Sequence, residues 1–256
     1  MCVLAFAWDI HPRFKLLLAG NRDETYARPS APLARWADAP GLLAGRDLEA
    51  GGTWMGVHEL DRAAVVTNVR DPRVSKDGAS RGLLVSDFLR GDTGAAESAE
   101  WLATDAARYR PFNLLLFDRD DARFVSNHPG VCSQSIAPGV HGLSNGKLDE
   151  VWPKVRRATA ALQSWMDAGA DTTVATLFEA FRDVAVAPDD DLPDTGIGLV
   201  LERQLSPVFV SGARYGTRAT TLIALNRAGG GCIIERRFGP HGAPAGQTTL
   251  RMLAES

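Results

Sequence analysis

Met1-Cys2-Val3-Leu4-Ala5-Phe6-Ala7-Trp8 opens the chain, and Leu18-Ala19-Gly20-Asn21-Arg22-Asp23-Glu24 begins sixteen residues after Cys2. The first stretch, from Cys2 to Trp8, is an apolar run of strand length. Lys15–Ala19 reads as its partner across a turn at His11-Pro12. A hairpin of this kind sets Asn21-Arg22-Asp23-Glu24, which closes the second strand, beside Cys2. Methionine is normally trimmed when the second residue is as small as cysteine. Cys2 would then carry both a thiol and a free α-amine with a reference pKa of about 7.7–8.0. Such an amine can take the proton from its own side chain, so nucleophile and general base come in one residue. Position alone equally allows a small apolar residue in a first strand.

At 256 residues, 45% hydrophobic and 23% charged, the chain can bury a full core as one domain spanning 1–256. A formal net charge of -3 argues against a nucleic-acid or anionic-membrane partner. Cys2, Cys132 and Cys232 are too scattered for a disulfide framework or a paired-cysteine metal knuckle, and the histidines show no metal-ligand spacing. Asp9 and His11 interrupt the opening apolar run, which also lacks a basic start, so it does not read as a signal peptide. No stretch of 18 apolar residues occurs, so no transmembrane segment is expected. A reducing cytoplasm is the expected compartment.

Thr53–Val57 and Ala63–Asn68 read as a second strand pair, followed by helical signals at Gly82–Arg90 and Ala95–Ala107. Phe112–Phe117, Arg123–Ser126 and His141–Asn145 read as strands. Val155, Ala158, Leu162 and Trp165 step at helical spacing behind Pro153, which suits a first turn. Thr173–Val184 repeats the pattern, and Arg218–Leu225 and Gly231–Phe238 return to strands. Short turns between the opening strands exclude a parallel doubly wound sheet and predict a layered α+β sandwich.

Several polar residues stand at strand ends. Arg22 beside Cys2 would lower the thiol pKa, and a carboxylate of Asp23 or Glu24 could orient the amine; a surface ion pair is the plainer reading. Asn68 and Asn145 each end an apolar strand, where an amide either donates to an oxyanion or caps a turn. Gly51-Gly52-Thr53-Trp54-Met55-Gly56 allows close backbone approach or a tight turn. Arg218, in Tyr215-Gly216-Thr217-Arg218, either binds a carboxylate or lies on the surface.

Taken in order, these blocks resemble the NRDE-motif family, also called the Transport and Golgi organisation protein 2 family. They are joined by Arg28-Pro29, Thr67-Asn68-Val69-Arg70, Ser80-Arg81-Gly82, Pro111-Phe112-Asn113-Leu114, Gly142-Leu143-Ser144-Asn145 and Leu192-Pro193-Asp194-Thr195-Gly196. The family in turn is similar to the N-terminal-nucleophile (Ntn) hydrolases, in particular the bile-salt hydrolase and penicillin V acylase group. The resemblance implies a four-layer αββα sandwich. It implies Cys2 as nucleophile, Arg22 and Asp23 in support, Asn68 in the oxyanion hole, Asn145 as the second asparagine and Arg218, or Arg214, as a late arginine. In those hydrolases two residues separate the arginine and the acid; here Arg22 and Asp23 are adjacent, so Glu24 stands as an alternative acid.

Two functions follow from the resemblance. One is an amidohydrolase or thioesterase acting on a small acyl-amide or acyl-thioester, with no cofactor required. The other is a non-catalytic carrier of haem or of acyl-lipid and acyl-coenzyme A. Haem would need an axial ligand from among Cys2, His11, His58, His128 and His141. An acyl pocket would use Trp8, Trp36 and Trp54, which read equally well as core.

Overall fold

The computed structural model describes residues 2–74, 77–169 and 173–254. Met1, whose removal the sequence leads one to expect, lies outside them. Strands β1 (Cys2–Trp8) and β2 (Phe14–Thr25) form the opening hairpin, followed by β3 (Ser30–Arg35), β4 (Leu42–Asp47), β5 (Met55–His58) and β6 (Arg62–Asn68). Helices α1 (Arg81–Arg90) and α2 (Ala95–Asp105) precede β7 (Phe112–Phe117), β8 (Ala122–Ser126), β9 (Cys132–Ser135) and β10 (Gly139–Leu143). Helices α3 (Pro153–Asp167), α4 (Val174–Ala180) and α5 (Leu199–Gln204) come next. Strands β11 (Tyr215–Asn226), β12 (Gly231–Phe238) and β13 (Pro244–Met252) close the chain.

Two antiparallel sheets result. One has the order β10-β1-β2-β11-β12-β13 and the other β3-β4-β5-β6-β7-β8-β9. Period-two alternation divides each central strand between two cores. Leu4, Phe6, Leu16 and Leu18 face the other sheet, where they meet Val57, Val65, Leu115 and Phe117. Phe6 and Phe117 join the sheets edge to face, with ring centroids 5.3 Å apart. Val3, Ala5, Leu17 and Ala19 point the opposite way, into a core with Val155, Leu162 and Phe178 of α3 and α4. Ala64, Val66, Leu114 and Leu116 likewise pack under Leu84, Leu89 and Leu102 of α1 and α2. The chain therefore adopts a four-layer αββα sandwich, with helices outside both sheets. Burial on both faces is what makes Cys2–Trp8 apolar at nearly every position. No helix among the described residues is long and apolar enough to cross a membrane.

Several boundaries differ from the sequence reading. β2 runs on through Asn21-Arg22-Asp23-Glu24 to Thr25, because β1 pairs with it on one side and β11 on the other. Thr53 and Trp54 precede β5, and Asn145 lies two residues beyond β10. The helix expected to reach Val184 stops at Ala180.

Candidate active site

Register fixes the centre of the site. Cys2 pairs directly with Arg22 across β1 and β2, and by alternation Arg22 and Glu24 share the Cys2 face, while Asn21 and Asp23 take the other. On the first face, Cys2, Arg22, Glu24, Trp54 and Asn68 line a cleft of about 130 Å³. The Arg22 guanidinium lies 4.5 Å from the Trp54 ring centroid and 4.0 Å from the Glu24 carboxylate. The arrangement holds a buried cation beside the sulfur.

Burial pushes the Cys2 thiol pKa up, against the Arg22 charge and the Asp23 backbone N–H, which favour the thiolate. Ser144 Oγ donates to the Cys2 carbonyl at 2.7 Å, and Thr67 Oγ1 donates to the Ser144 carbonyl at 2.6 Å. These bonds tie the start of β1 to the ends of β6 and β10, which belong to different sheets.

Asn68 and Asn145 are brought together. Asn145 Nδ2 donates to both the Asn68 carbonyl and Asn68 Oδ1, at 2.9 and 3.1 Å. Fixing Oδ1 also fixes the Asn68 amide N–H₂, whose protein acceptor is the Val69 carbonyl at 3.3 Å. Asn68 lines the Cys2 cleft, whereas Asn145 lines a second cleft of about 400 Å³ that also includes Arg70, His128 and Trp152. Asn145 thus acts on the first cleft through Asn68.

Behind the sheet, Asn21 Nδ2 donates to the carbonyls of Phe181 and Val208, fastening β2 to the helical layer. Asp23 is 2% exposed and accepts a 2.6 Å hydrogen bond from Thr217 Oγ1. Burial raises its pKa, opposed by the charge of Lys154, the Thr217 bond and the charge of Arg70. Lys154 is itself 1% exposed, and its Nζ has no hydrogen-bond partner among the described residues. Burial, reinforced by nearby Arg70, lowers its pKa to about 8. Arg70 also forms a 2.6 Å ion pair with Glu202, and the Thr195 backbone N–H donates to that carboxylate. This anchors the Asp194-Thr195-Gly196 turn beside the second cleft.

Arg218 lies elsewhere. It is skipped in the pairing of β11 with β2, between Thr217 and Ala219. Such a bulge re-aims a side chain. Its guanidinium donates to the carbonyls of Thr25 and Arg28, not into the cleft. Arg214 is exposed and contributes its carbonyl to the Tyr26 N–H. Of the three tryptophans, Trp54 lines the cleft; Trp8 packs between the sheets and Trp36 under α1.

The four histidines considered for haem are dispersed. His11 Nδ1 accepts from the Arg13 and Phe14 N–H groups, and His58 Nδ1 accepts from Leu60 N–H. His128 faces Asp71, and both ring nitrogens of His141 are engaged, by Asp149 and the Ala137 carbonyl. None of the four lines the Cys2 cleft, so an axial ligand there would have to be Cys2.

The chain as a whole is similar to known proteins. A family model described as Transport and Golgi organisation 2 matches residues 1–240. The chain belongs to the Transport and Golgi organisation 2 family. The Transport and Golgi organization 2 homolog of Mus musculus is 30% identical over 255 residues, with 92% of each chain covered. The Homo sapiens homolog is also 30% identical, over 256 residues, again covering 92% of each. The Drosophila melanogaster protein is 28% identical over 253 residues, covering 88% of each. Among solved structures, the Caenorhabditis elegans N-acylethanolamine-hydrolyzing acid amidase ortholog covers 87% of this chain and 92% of its own, at 10% identity and a TM-score of 0.46.

Two glycine-containing blocks of this Transport and Golgi organisation 2 chain shape the cleft through their backbones. Gly52 faces the first turn of α1, and a Cβ there would lie 2.3 Å from the Gly82 carbonyl carbon. The Gly51-Gly52 and Ser80-Arg81-Gly82 blocks are therefore two sides of one backbone contact. Lys154 gave no local signal; it acquires its place through tertiary packing.

Proposed function

We propose that this Transport and Golgi organisation 2 family member is a cysteine N-terminal-nucleophile hydrolase, cleaving an acyl-amide or acyl-thioester bond. The observation that carries the reading is the shared wall of the cleft: Cys2, the Arg22 guanidinium and the Asn68 amide all line it.

Once Met1 is removed, the Cys2 α-amine takes the thiol proton. The thiolate attacks the substrate carbonyl carbon, and the carbonyl π electrons move onto oxygen. Asn68 Nδ2 donates to that oxyanion, a contribution typically worth about 2.7–4 kcal/mol. As the tetrahedral intermediate collapses, the C–N or C–S bond breaks. The ammonium of Cys2 then protonates the departing amine or thiolate. Water, deprotonated by the same amine, attacks the Cys2 thioester and releases the carboxylic acid and the free thiol. Arg22 favours the attacking thiolate. Asp23 acts on the thiol in two opposed ways, its charge raising the pKa and its backbone N–H lowering it; Glu24 stays beside Arg22.

The test is turnover of a panel of acyl-amides and acyl-thioesters by the wild type and Cys2→Ala. Turnover by the wild type falling to background in the variant supports the reading. Full activity in Cys2→Ala would falsify it.

A further inference from the structure

We propose that the Cys2 cleft selects acyl donors carrying an oxyanion group, a carboxylate or a phosphate, held at the cleft mouth by Arg81 and Arg110. The word "donor" rests on the nucleophile reading above; the anion subsite stands on separate observations.

Four guanidinium groups line the cleft, those of Arg22, Arg28, Arg81 and Arg110. Two have partners. Arg28 pairs with Asp47 at 2.7 Å and Glu49 at 3.3 Å, and Arg22 is held between Trp54 and Glu24. The other two have no carboxylate partner among the described residues. Arg81 donates to the Pro111 carbonyl at 3.3 Å, and Arg110 to the Gly78 carbonyl at 3.2 Å. Arg110 is also close enough to act on Arg81: burial lowers the Arg81 pKa, and the positive charge of Arg110 lowers it further. The Glu24 and Cys2 charges offset this only in part, and an anion between the two guanidinium groups would reduce the remaining penalty.

The surrounding backbone adds to the attraction. Ser80, Arg81 and Gly82 all line the cleft at the start of the ten-residue α1, and Ser80 makes no side-chain cap bond. The first N–H groups and positive dipole end of that helix thus face the same space. Asp23, although at the cleft wall, directs its carboxylate to Thr217 behind the sheet.

Size sets the geometry of binding. At about 130 Å³ the cleft is smaller than sites that enclose a whole drug-sized ligand, roughly 300–1,000 Å³. It takes the reacting end of the substrate. Arg110 is exposed at the rim and Arg81 half-buried further in, and Arg81 feels the Cys2 charge as well. An oxyanion at the rim would leave the acyl carbon to reach Cys2.

Iodoacetate and iodoacetamide test this without any turnover. Both alkylate thiolates and differ mainly in charge, so a change in the thiol pKa cancels in the ratio of their rates. Peptide mass spectrometry reads that ratio at Cys2, with the exposed Cys132 as internal reference. The expected iodoacetate-to-iodoacetamide ratio at low salt is about tenfold or more higher at Cys2 than at Cys132, the low end of electrostatic enhancement in a focused cleft. It should fall towards the reference at high salt and in Arg81→Gln/Arg110→Gln. Arg110→Gln alone, at an exposed position, gives a partial fall and keeps the test usable if the double variant misfolds. Protection from iodoacetate by inorganic phosphate identifies a phosphate site, and protection by succinate a carboxylate site. Equal ratios at Cys2 and Cys132, or a Cys2 ratio unchanged by either substitution, overturn the anion subsite. Cys2 acylated by neutral probes would then leave the nucleophile reading standing by itself.

Discussion

The end of β2 has two faces that do different work. On the inter-sheet face, Arg22 and Glu24 stand with Cys2 in a solvent-reaching cleft. On the helix face, Asn21 and Asp23 are 2% exposed and bonded to Phe181, Val208 and Thr217. Asn21-Arg22-Asp23-Glu24 reads in sequence as one polar cluster, but the pleat separates it into alternate residues. One pair attends the thiol, and the other fastens the strand and carries a buried carboxylate near Lys154. Adjacent residues of one motif should therefore fail in different ways when changed.

The largest effect should come from the cleft face. Asn68→Ala removes the proposed oxyanion donor and should lower kcat by about 10²–10³-fold, measured on the best substrate of the acyl panel, with little change in KM. Loss confined to KM would place Asn68 in substrate binding and remove it from the transition state.

A smaller effect should follow at Arg22. Arg22→Gln takes away a cation that favours the thiolate, so the Cys2 pKa should rise by about one unit. Iodoacetamide alkylation at pH 7 would slow roughly tenfold, and the pH–rate curve would move to higher pH. A curve that does not move would mean Arg22 is held for Trp54 and Glu24 rather than for the thiol.

The helix face should show itself in stability. The Lys154 pKa lies near 8 in the fold, below the roughly 10.4 of an unfolded lysine. Between those values the unfolded chain binds more protons, so this group makes stability rise with pH, and its full penalty applies below about pH 8. Lys154→Met should therefore raise the urea midpoint at pH 7, with the advantage shrinking to nothing by about pH 10.5. An advantage equally large at both pH values would assign it to packing rather than charge.

What the sequence made legible follows the same physics. The β1–β2 hairpin, α1 and the Asn68 strand end were readable because apolar runs and turn residues mark buried elements. Strands β3, β4, β9 and β13 went unread. Buried β4 lies inside its sheet; the other three are sheet edges, where one side lacks a neighbour and polar residues are tolerated. Pro32 sits inside β3, Cys132–Ser135 is exposed throughout, and β13 is largely exposed. α5 is only six residues long, too short to declare a period. In the site, Cys2, Arg22 and Asn68 could be named from order and type. Arg218 could not be placed, because a skipped residue in the pairing with β2 decides where it points. Lys154 reads as an ordinary cation after a helix-starting proline; only the packing of α3 on β1 buries it.

The most direct measurement is intact mass of the purified protein before and after exposure to acyl-amide and acyl-thioester probes. The account predicts a chain lacking Met1 that gains one acyl group on Cys2, with no gain in Cys2→Ala. A chain that keeps Met1, and remains unmodified by every probe at concentrations that acylate small thiols, would contradict the claim that Cys2 is the nucleophile.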